Sequence, residues 1–247
     1  MGRDNLKLRA KDRLIVALDY NDLNDAINMV EKLGEKVEIY KVGLEIFLST
    51  NGTIIDYLKL KNKKIFLDLK FHDISNTVKK ACEYAIDKDV LMFNIHIANG
   101  TKTILEVSKL VKNKNSKSII LGVTILTNLD INDIDEIYGI SQNNTKSLVN
   151  NMAELAKKSG LNGIVCSSQE VKEIKEKCGN DFITVCPGIR PDFSSVDDQI
   201  RITTPYEAIK NGADYLVVGR PITMNINPVM AVEKIVVEME KAIIKYR

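Results

Sequence analysis

Residues 66 to 73 read Phe-Leu-Asp-Leu-Lys-Phe-His-Asp, and three of them, Asp68, Lys70 and Asp73, can place charge against a bound molecule. Apolar residues at 65, 66, 67 and 69 promise burial, so these charges stand where a buried strand runs out into a loop. Alternate side chains of a strand share a face, which sets Asp68 and Lys70 on one side, roughly 7 Å apart along the chain. Charges leave water only at considerable cost unless they compensate one another. A sequence that keeps them there has a use for them: electrostatic work on a ligand or, in the plainer reading, a structural ion pair.

Other chemistries find less support. His72 and His96 are the only histidines, and no GxSxG motif accompanies them, so a hydrolase triad is not expected. Two histidines without a clear carboxylate set make a poor metal site, and no metal is expected. His96 reads as a site-lining hydrogen-bonding group rather than a base. Cys82, Cys166, Cys178 and Cys186 lack CxxC or zinc-ligand spacing and read as buried structural thiols. A net charge of +2, with no basic block, argues against nucleic acid as a partner. Residues 1 to 13 are charged and have no apolar signal core, and no apolar run reaches the length of a membrane span. A cytoplasmic enzyme or binding protein with no membrane partner is the expectation.

The elements that must position these residues follow a regular alternation. Short β-branched runs at 13–19, 37–42, 64–70, 91–97, 117–124, 162–166, 182–186 and 214–219 alternate with segments of helical period such as 22–33, 76–87, 101–112, 145–158 and 204–211. Near-continuous apolar strands favour a parallel sheet covered by helices, and 247 residues suit a (β/α)8 TIM barrel. We expect one barrel domain over residues 1–247, with 1–12 as an N-terminal extension or short helix before the first strand. An open doubly wound sheet is the alternative, but no GxGxxG follows the first strand.

In such a barrel the active site forms at the C-terminal ends of the strands. Those ends carry Asp19, Lys41, Asp68 with Lys70, His96, Thr124 with Thr127 beyond it, and Gly219-Arg220, while the opposite ends offer no comparable set. The seventh strand runs into Pro187-Gly188-Ile189-Arg190-Pro191 and the eighth into Gly219-Arg220-Pro221-Ile222-Thr223. Glycine lets backbone N–H groups approach an anion, arginine adds a forked cation, and loops after strands seven and eight are the usual phosphate site of these barrels. The long polar stretch 187–203 has the composition of a lid.

Asp19 in VALD, Lys41 in YKVG, DLKFHD at 68–73, PGIR, the DxxR at 198–201 and VVGRPIT together closely resemble the orotidine 5′-phosphate decarboxylase family in its shorter bacterial form. The resemblance spans about residues 13–240. It implies conversion of orotidine 5′-phosphate to UMP and CO2 without a cofactor, in a homodimer. Lys41, Asp68 and Lys70 would form the charged array of one subunit, and Asp73, with Ile74 and Thr77, would reach it from the neighbour. Asp19 would bind the ribose hydroxyls and Thr127 the pyrimidine edge. Gln199, Arg220 and Arg190, with Pro187, Gly188 and Gly219 in the same loops, would meet the phosphate. The DxKxxD motif alone is shared with Mg-dependent sugar-phosphate decarboxylases and aldolases of the same barrel group, which gives an alternative function. A barrel that binds nucleotides without turnover is a second. Two departures from the family pattern stand out: Ser75 replaces the usual proline, as a residue that can equally start a helix, and Ile97-Ala98-Asn99-Gly100 replaces a run of small residues.

Overall fold

The computed structural model describes residues 9–126, 129–139, 145–193 and 203–246. Eight parallel strands close into a barrel in sequence order: β1 Leu14–Ala17, β2 Ile39–Gly43, β3 Lys64–Phe71, β4 Met92–His96, β5 Ile119–Val123, β6 Gly163–Val165, β7 Ile183–Cys186 and β8 Tyr215–Val218. The helices that cover it are α1 Leu23–Leu33, α2 Leu44–Ser49, α3 Thr53–Leu60, α4 Ser75–Asp87, α5 Gly100–Asn113, α6 Ile131–Tyr138, α7 Thr145–Lys158, α8 Val171–Cys178, α9 Pro205–Lys210, α10 Arg220–Thr223 and α11 Pro228–Tyr246. The (β/α)8 barrel is therefore the architecture, and each expected strand overlaps an observed one.

The strand composition follows from burial on two faces. Ile15, Ile39, Phe66, Met92, Leu121 and Val217 point inward and fill the barrel, while Leu14, Val16, Tyr40, Leu67 and Phe93 point outward against the helices. Continuing the inward set by two residues brings Lys41 on β2, Asp68 on β3 and Asn94 on β4 to the C-terminal end of the barrel. The helices begin and end by local chemistry: the Asp22 carboxylate accepts the Asn24 and Asp25 N–H groups at the start of α1, and Gly34, at φ +49°, ends it. All four cysteines are buried free thiols.

One expectation holds and one changes. Ser75 is the first residue of α4, so the helix starts where expected, with Ile74 in the N-cap position, and the Ser75 hydroxyl pairs with Thr103 Oγ1 of α5 at 2.7 Å. Its role is to tie two neighbouring helices together. The N-terminal end of the barrel also has a charged set of its own. Lys175 Nζ lies 2.6 Å and Arg13 Nη2 3.9 Å from opposite oxygens of Asp214. The Thr184 backbone N–H and hydroxyl both donate to the Asp214 oxygen that Lys175 meets. These groups lie far apart in sequence and meet only in the folded barrel, where Asp214 ties Lys175 of α8 and Arg13 before β1 to the β7–β8 wall.

Candidate active site

A cavity of about 300 Å³ opens at the C-terminal end of the strands. Its charged and glycine lining is Asp19, Lys41, Asp68, Lys70, Gly188, Arg190, Gly219 and Arg220, with Pro187, Phe66, Val123, Ile125 and Leu126 among the apolar walls. Lys41, Asp68 and Lys70 come from β2 and β3, Asp19 from just beyond β1, Arg190 from the segment after β7 and Arg220 from the first residue of α10 after β8. Because β1 pairs with both β2 and β8, Asp19 sits between the two groups around the ring.

The first four charges form a chain. Lys41 Nζ donates to Asp19 Oδ1 at 2.8 Å and lies 3.7 Å from Asp68 Oδ2, while Lys70 Nζ donates to Asp68 Oδ1 at 2.8 Å. The Lys41 and Asp68 side chains are each only 12% exposed, so this pair is largely out of water. Burial pulls the Lys41 pKa down, but Asp68 and Asp19 outweigh it and hold the ammonium above its ordinary value. Burial likewise pushes Asp68 up, and Lys41, Lys70 and the hydrogen bond from Asn94 overcome it, so the carboxyl titrates below the usual range. Gly43 makes room for the arrangement: a Cβ there would stand 2.9 Å from Lys41 Nζ.

The i, i+2 spacing of Asp68 and Lys70 does not alone produce a 2.8 Å contact. Leu67 pairs with Phe93 and Phe71 with Ile95, so Asp68, Leu69 and Lys70 all lie opposite the single residue Asn94. This bulge puts Lys70 at φ +47°, a left-handed conformation uncommon for a side-chain-bearing residue. Asn94, fully buried, spans the gap: its Nδ2 donates to Asp68 Oδ1 at 2.7 Å and its Oδ1 accepts the Lys70 N–H at 2.8 Å. The sequence reading missed Asn94, although one amide inside the apolar run Leu-Met-Phe-Asn-Ile was a visible signal.

Pro187, Gly188, Arg190, Gly219 and Arg220 line the cavity together. Gly188 adopts φ +76°, and the Arg190 N–H donates to Thr203 O at 2.8 Å, so the segment leaving β7 returns to its own start. Arg190 is nearly buried and its Nη1 donates to Ile189 O at 3.1 Å. Thr127 and Gln199 lie outside the described residues.

Asp73, Ile74 and Thr77 are exposed on this chain and do not line its cavity. His96 also stands outside the cavity lining: its ring stacks on His72 with centroids 4.9 Å apart. Burial, then the neighbouring His72, lowers the His96 pKa to about 4. Asn99, the departure noted in the sequence, clamps this corner. Its Nδ2 donates to Phe71 O and His96 O at 2.8 Å each, and its Oδ1 accepts the Asp73 N–H at 3.1 Å. Asp73 is held at the surface by a neighbouring loop, and Ile74 next to it is an exposed apolar side chain.

Residues 12–235 match the orotidine 5′-phosphate decarboxylase / HUMPS family. The chain is 45% identical over 237 residues to orotidine 5′-phosphate decarboxylase of Carboxydothermus hydrogenoformans, covering 93% of this chain and 96% of the relative. It is 40% identical over 239 residues to the protein of the same name from Syntrophomonas wolfei, covering 95% of this chain and all of the relative. The crystal structure of orotidine 5′-phosphate decarboxylase from Lactobacillus acidophilus superposes with a TM-score of 0.78 at 32% identity, over 92% of this chain and 98% of that one.

Proposed function

The chain belongs to the orotidine 5′-phosphate decarboxylase family and is a carboxy-lyase of pyrimidine biosynthesis that converts orotidine 5′-phosphate to UMP and CO2, and we propose that the Asp19–Lys41–Asp68–Lys70 chain of charges is its catalytic array. Loss of CO2 from C6 of the pyrimidine leaves an electron pair in an in-plane orbital that the ring delocalises poorly. A fixed ammonium at that carbon stabilises the pair electrostatically and then protonates it, and Lys70 is the ammonium we assign. Asp68 holds it there and lies beside the departing carboxylate, Lys41 compensates Asp68, and Asp19 receives the ribose hydroxyls. The contact that carries this reading is the 2.8 Å pair of Lys70 and Asp68 on the wall of a cavity whose other side carries Arg190 and Arg220.

The remaining assignments have different supports. Arg190 and Arg220, with Pro187, Gly188 and Gly219, would meet the phosphate, a reading supported by their common place in the cavity lining, and Gln199 joins them by resemblance, as Thr127 does for the pyrimidine edge. The exposed Asp73, Ile74 and Thr77 suit a subunit contact in a homodimer, through which Asp73 would complete the partner's array. We further propose one cytoplasmic barrel domain that needs no cofactor; His96 supports the loop carrying Asp73 rather than touching substrate. No helix among the described residues is long and apolar enough to cross a membrane.

The test follows orotidine 5′-phosphate absorbance with purified protein in EDTA, beside Lys70→Ala. Rapid loss of substrate by the parent and almost none by the variant is the expected result. Activity abolished by the chelator would point instead to a Mg-dependent sugar-phosphate enzyme, and tight UMP binding without turnover to a nucleotide-binding barrel.

A further inference from the structure

We propose that Asn94 is a positioning residue for the decarboxylation: its one amide group fixes the Asp68 carboxylate and the Lys70 backbone together, and so sets the direction from which the Lys70 ammonium meets the substrate. The inference rests on the assignment of Lys70 as the proton donor. Asn94 does not line the cavity, so it acts only through these two residues.

The register supplies the first argument. Between the pairs Leu67–Phe93 and Phe71–Ile95, β3 has two more residues than β4, which leaves a gap in the ladder where a backbone N–H would lose its partner. The Asn94 carbonyl oxygen takes the Lys70 N–H at 2.8 Å and holds Lys70 at φ +47°. Without that acceptor the left-handed residue has less to retain it, and its side chain would leave the line to Asp68.

Chemistry supplies the second. Asp68 Oδ1 receives two donors, Lys70 Nζ at 2.8 Å and Asn94 Nδ2 at 2.7 Å, which fixes the rotation of the carboxylate. A side chain here must donate at one end, accept at the other and carry no charge. Asparagine meets all three needs at this length, whereas a carboxylate would face Asp68 and an aliphatic group would leave the Lys70 N–H unpaired and take one of its two donors from Asp68 Oδ1. The other charged or titratable groups near the amide are Lys41 on β2, Lys70 on β3, and His96 on β4 with His72 stacked on it. Its partner on β5 is the apolar Leu121.

The experiment compares Asn94→Asp and Asn94→Ala with the parent and with Lys70→Ala, all as full chains. It measures kcat and KM for orotidine 5′-phosphate from about pH 5.5 to 9, the Kd for UMP, and the thermal midpoint. Asn94→Asp preserves size and the acceptor for the Lys70 N–H, which isolates the Asp68 half of the bridge. While the two facing carboxyls share a proton, the introduced group donates to Asp68 as the amide did. Once that proton leaves, the carboxylates repel, so kcat falls with rising pH by about 10- to 100-fold along a limb absent from the parent. Asn94→Ala lowers kcat by a similar factor across the range, with UMP affinity within about threefold of the parent in both variants.

A kcat within about threefold of the parent at every pH in both variants would overturn the proposal. So would a pH-independent loss in Asn94→Asp that tracks a lowered thermal midpoint and weaker UMP binding, because that pattern belongs to a purely structural residue. Should Asn94→Ala fail to fold, the Asn94→Asp profile decides alone. Parental turnover by Lys70→Ala would sink the underlying assignment itself, whereas an inactive Lys70→Ala beside unimpaired Asn94 variants would sink only the role given to Asn94.

Discussion

Replacing Asp68 with asparagine removes the charge at the centre of the array while keeping its shape. Asp68 stands 2.8 Å from Lys70 Nζ and 3.7 Å from Lys41 Nζ. A pair of unit charges about 4 Å apart at an effective dielectric near 20 interacts by about 4 kcal/mol. Lys41 keeps Asp19 at 2.8 Å, so most of the loss falls on Lys70, whose side chain is 38% exposed and regains part of it from water. Discounting by roughly half for that screening leaves about 2 kcal/mol as the lower bound and about 4 kcal/mol as the upper. Each 1.36 kcal/mol is about tenfold in rate, so kcat should fall by about 30- to 1,000-fold in Asp68→Asn. The substrate carboxylate loses a negative neighbour in the same change, so KM should not rise and UMP affinity should hold within about threefold. The assay is initial-rate absorbance at saturating substrate, with UMP calorimetry and a thermal melt to confirm an intact fold. A kcat within about threefold of the parent would refute the claim that Asp68 holds the reacting ammonium, and a parallel collapse of UMP binding would show that the residue serves the pocket rather than the chemistry.

Gly43→Ala would bring a methyl group to 2.9 Å from Lys41 Nζ, which can swing aside without disturbing the backbone; we expect an unchanged thermal midpoint and a fall in kcat/KM of about tenfold, read by steady-state kinetics. His96, lowered to about 4 by burial and then by His72, binds its proton more readily when unfolded. The stability it contributes is therefore fully present above its ordinary value of about 6.5 and lost as pH falls toward 4. The thermal midpoint should decline across that window in the parent and less in His96→Asn, and equal slopes would contradict the assignment. Mixing Lys70→Ala with Asp73→Asn under subunit exchange should restore about a quarter of parental activity, because half of the dimers are mixed and each mixed dimer has one intact site. No rescue despite confirmed exchange would count against a shared site.

What the sequence made legible, and what it did not, divides along physical lines. Strands buried on both faces must be short apolar runs, so their positions emerged to within a few residues, and the barrel followed from their alternation with helical segments. Lys41, Asp68, Lys70, Arg190 and Arg220 were legible because charges at the end of an apolar run need a reason. The Arg13–Asp214–Lys175 cluster was not, since its members belong to different parts of the barrel wall and meet only on closure. The long helix α11 was not singled out either, although its apolar face packs against the barrel through Val232, Ile235 and Met239.

The bulge at residues 68–70 shows why spacing alone stops short of mechanism. An unbroken strand would hold Asp68 and Lys70 side by side on one face, roughly 7 Å apart at the backbone, with a long flexible side chain left to find its partner. The register shift instead commits Lys70 to a left-handed turn, and the cost of that conformation must be met by something specific. An amide on the neighbouring strand meets it, and the same amide fixes the carboxylate to which the ammonium returns. Charge content is written locally in the sequence, but the direction of the charge is written in the pairing of two strands, through a residue that carries no charge and never reaches the cavity wall.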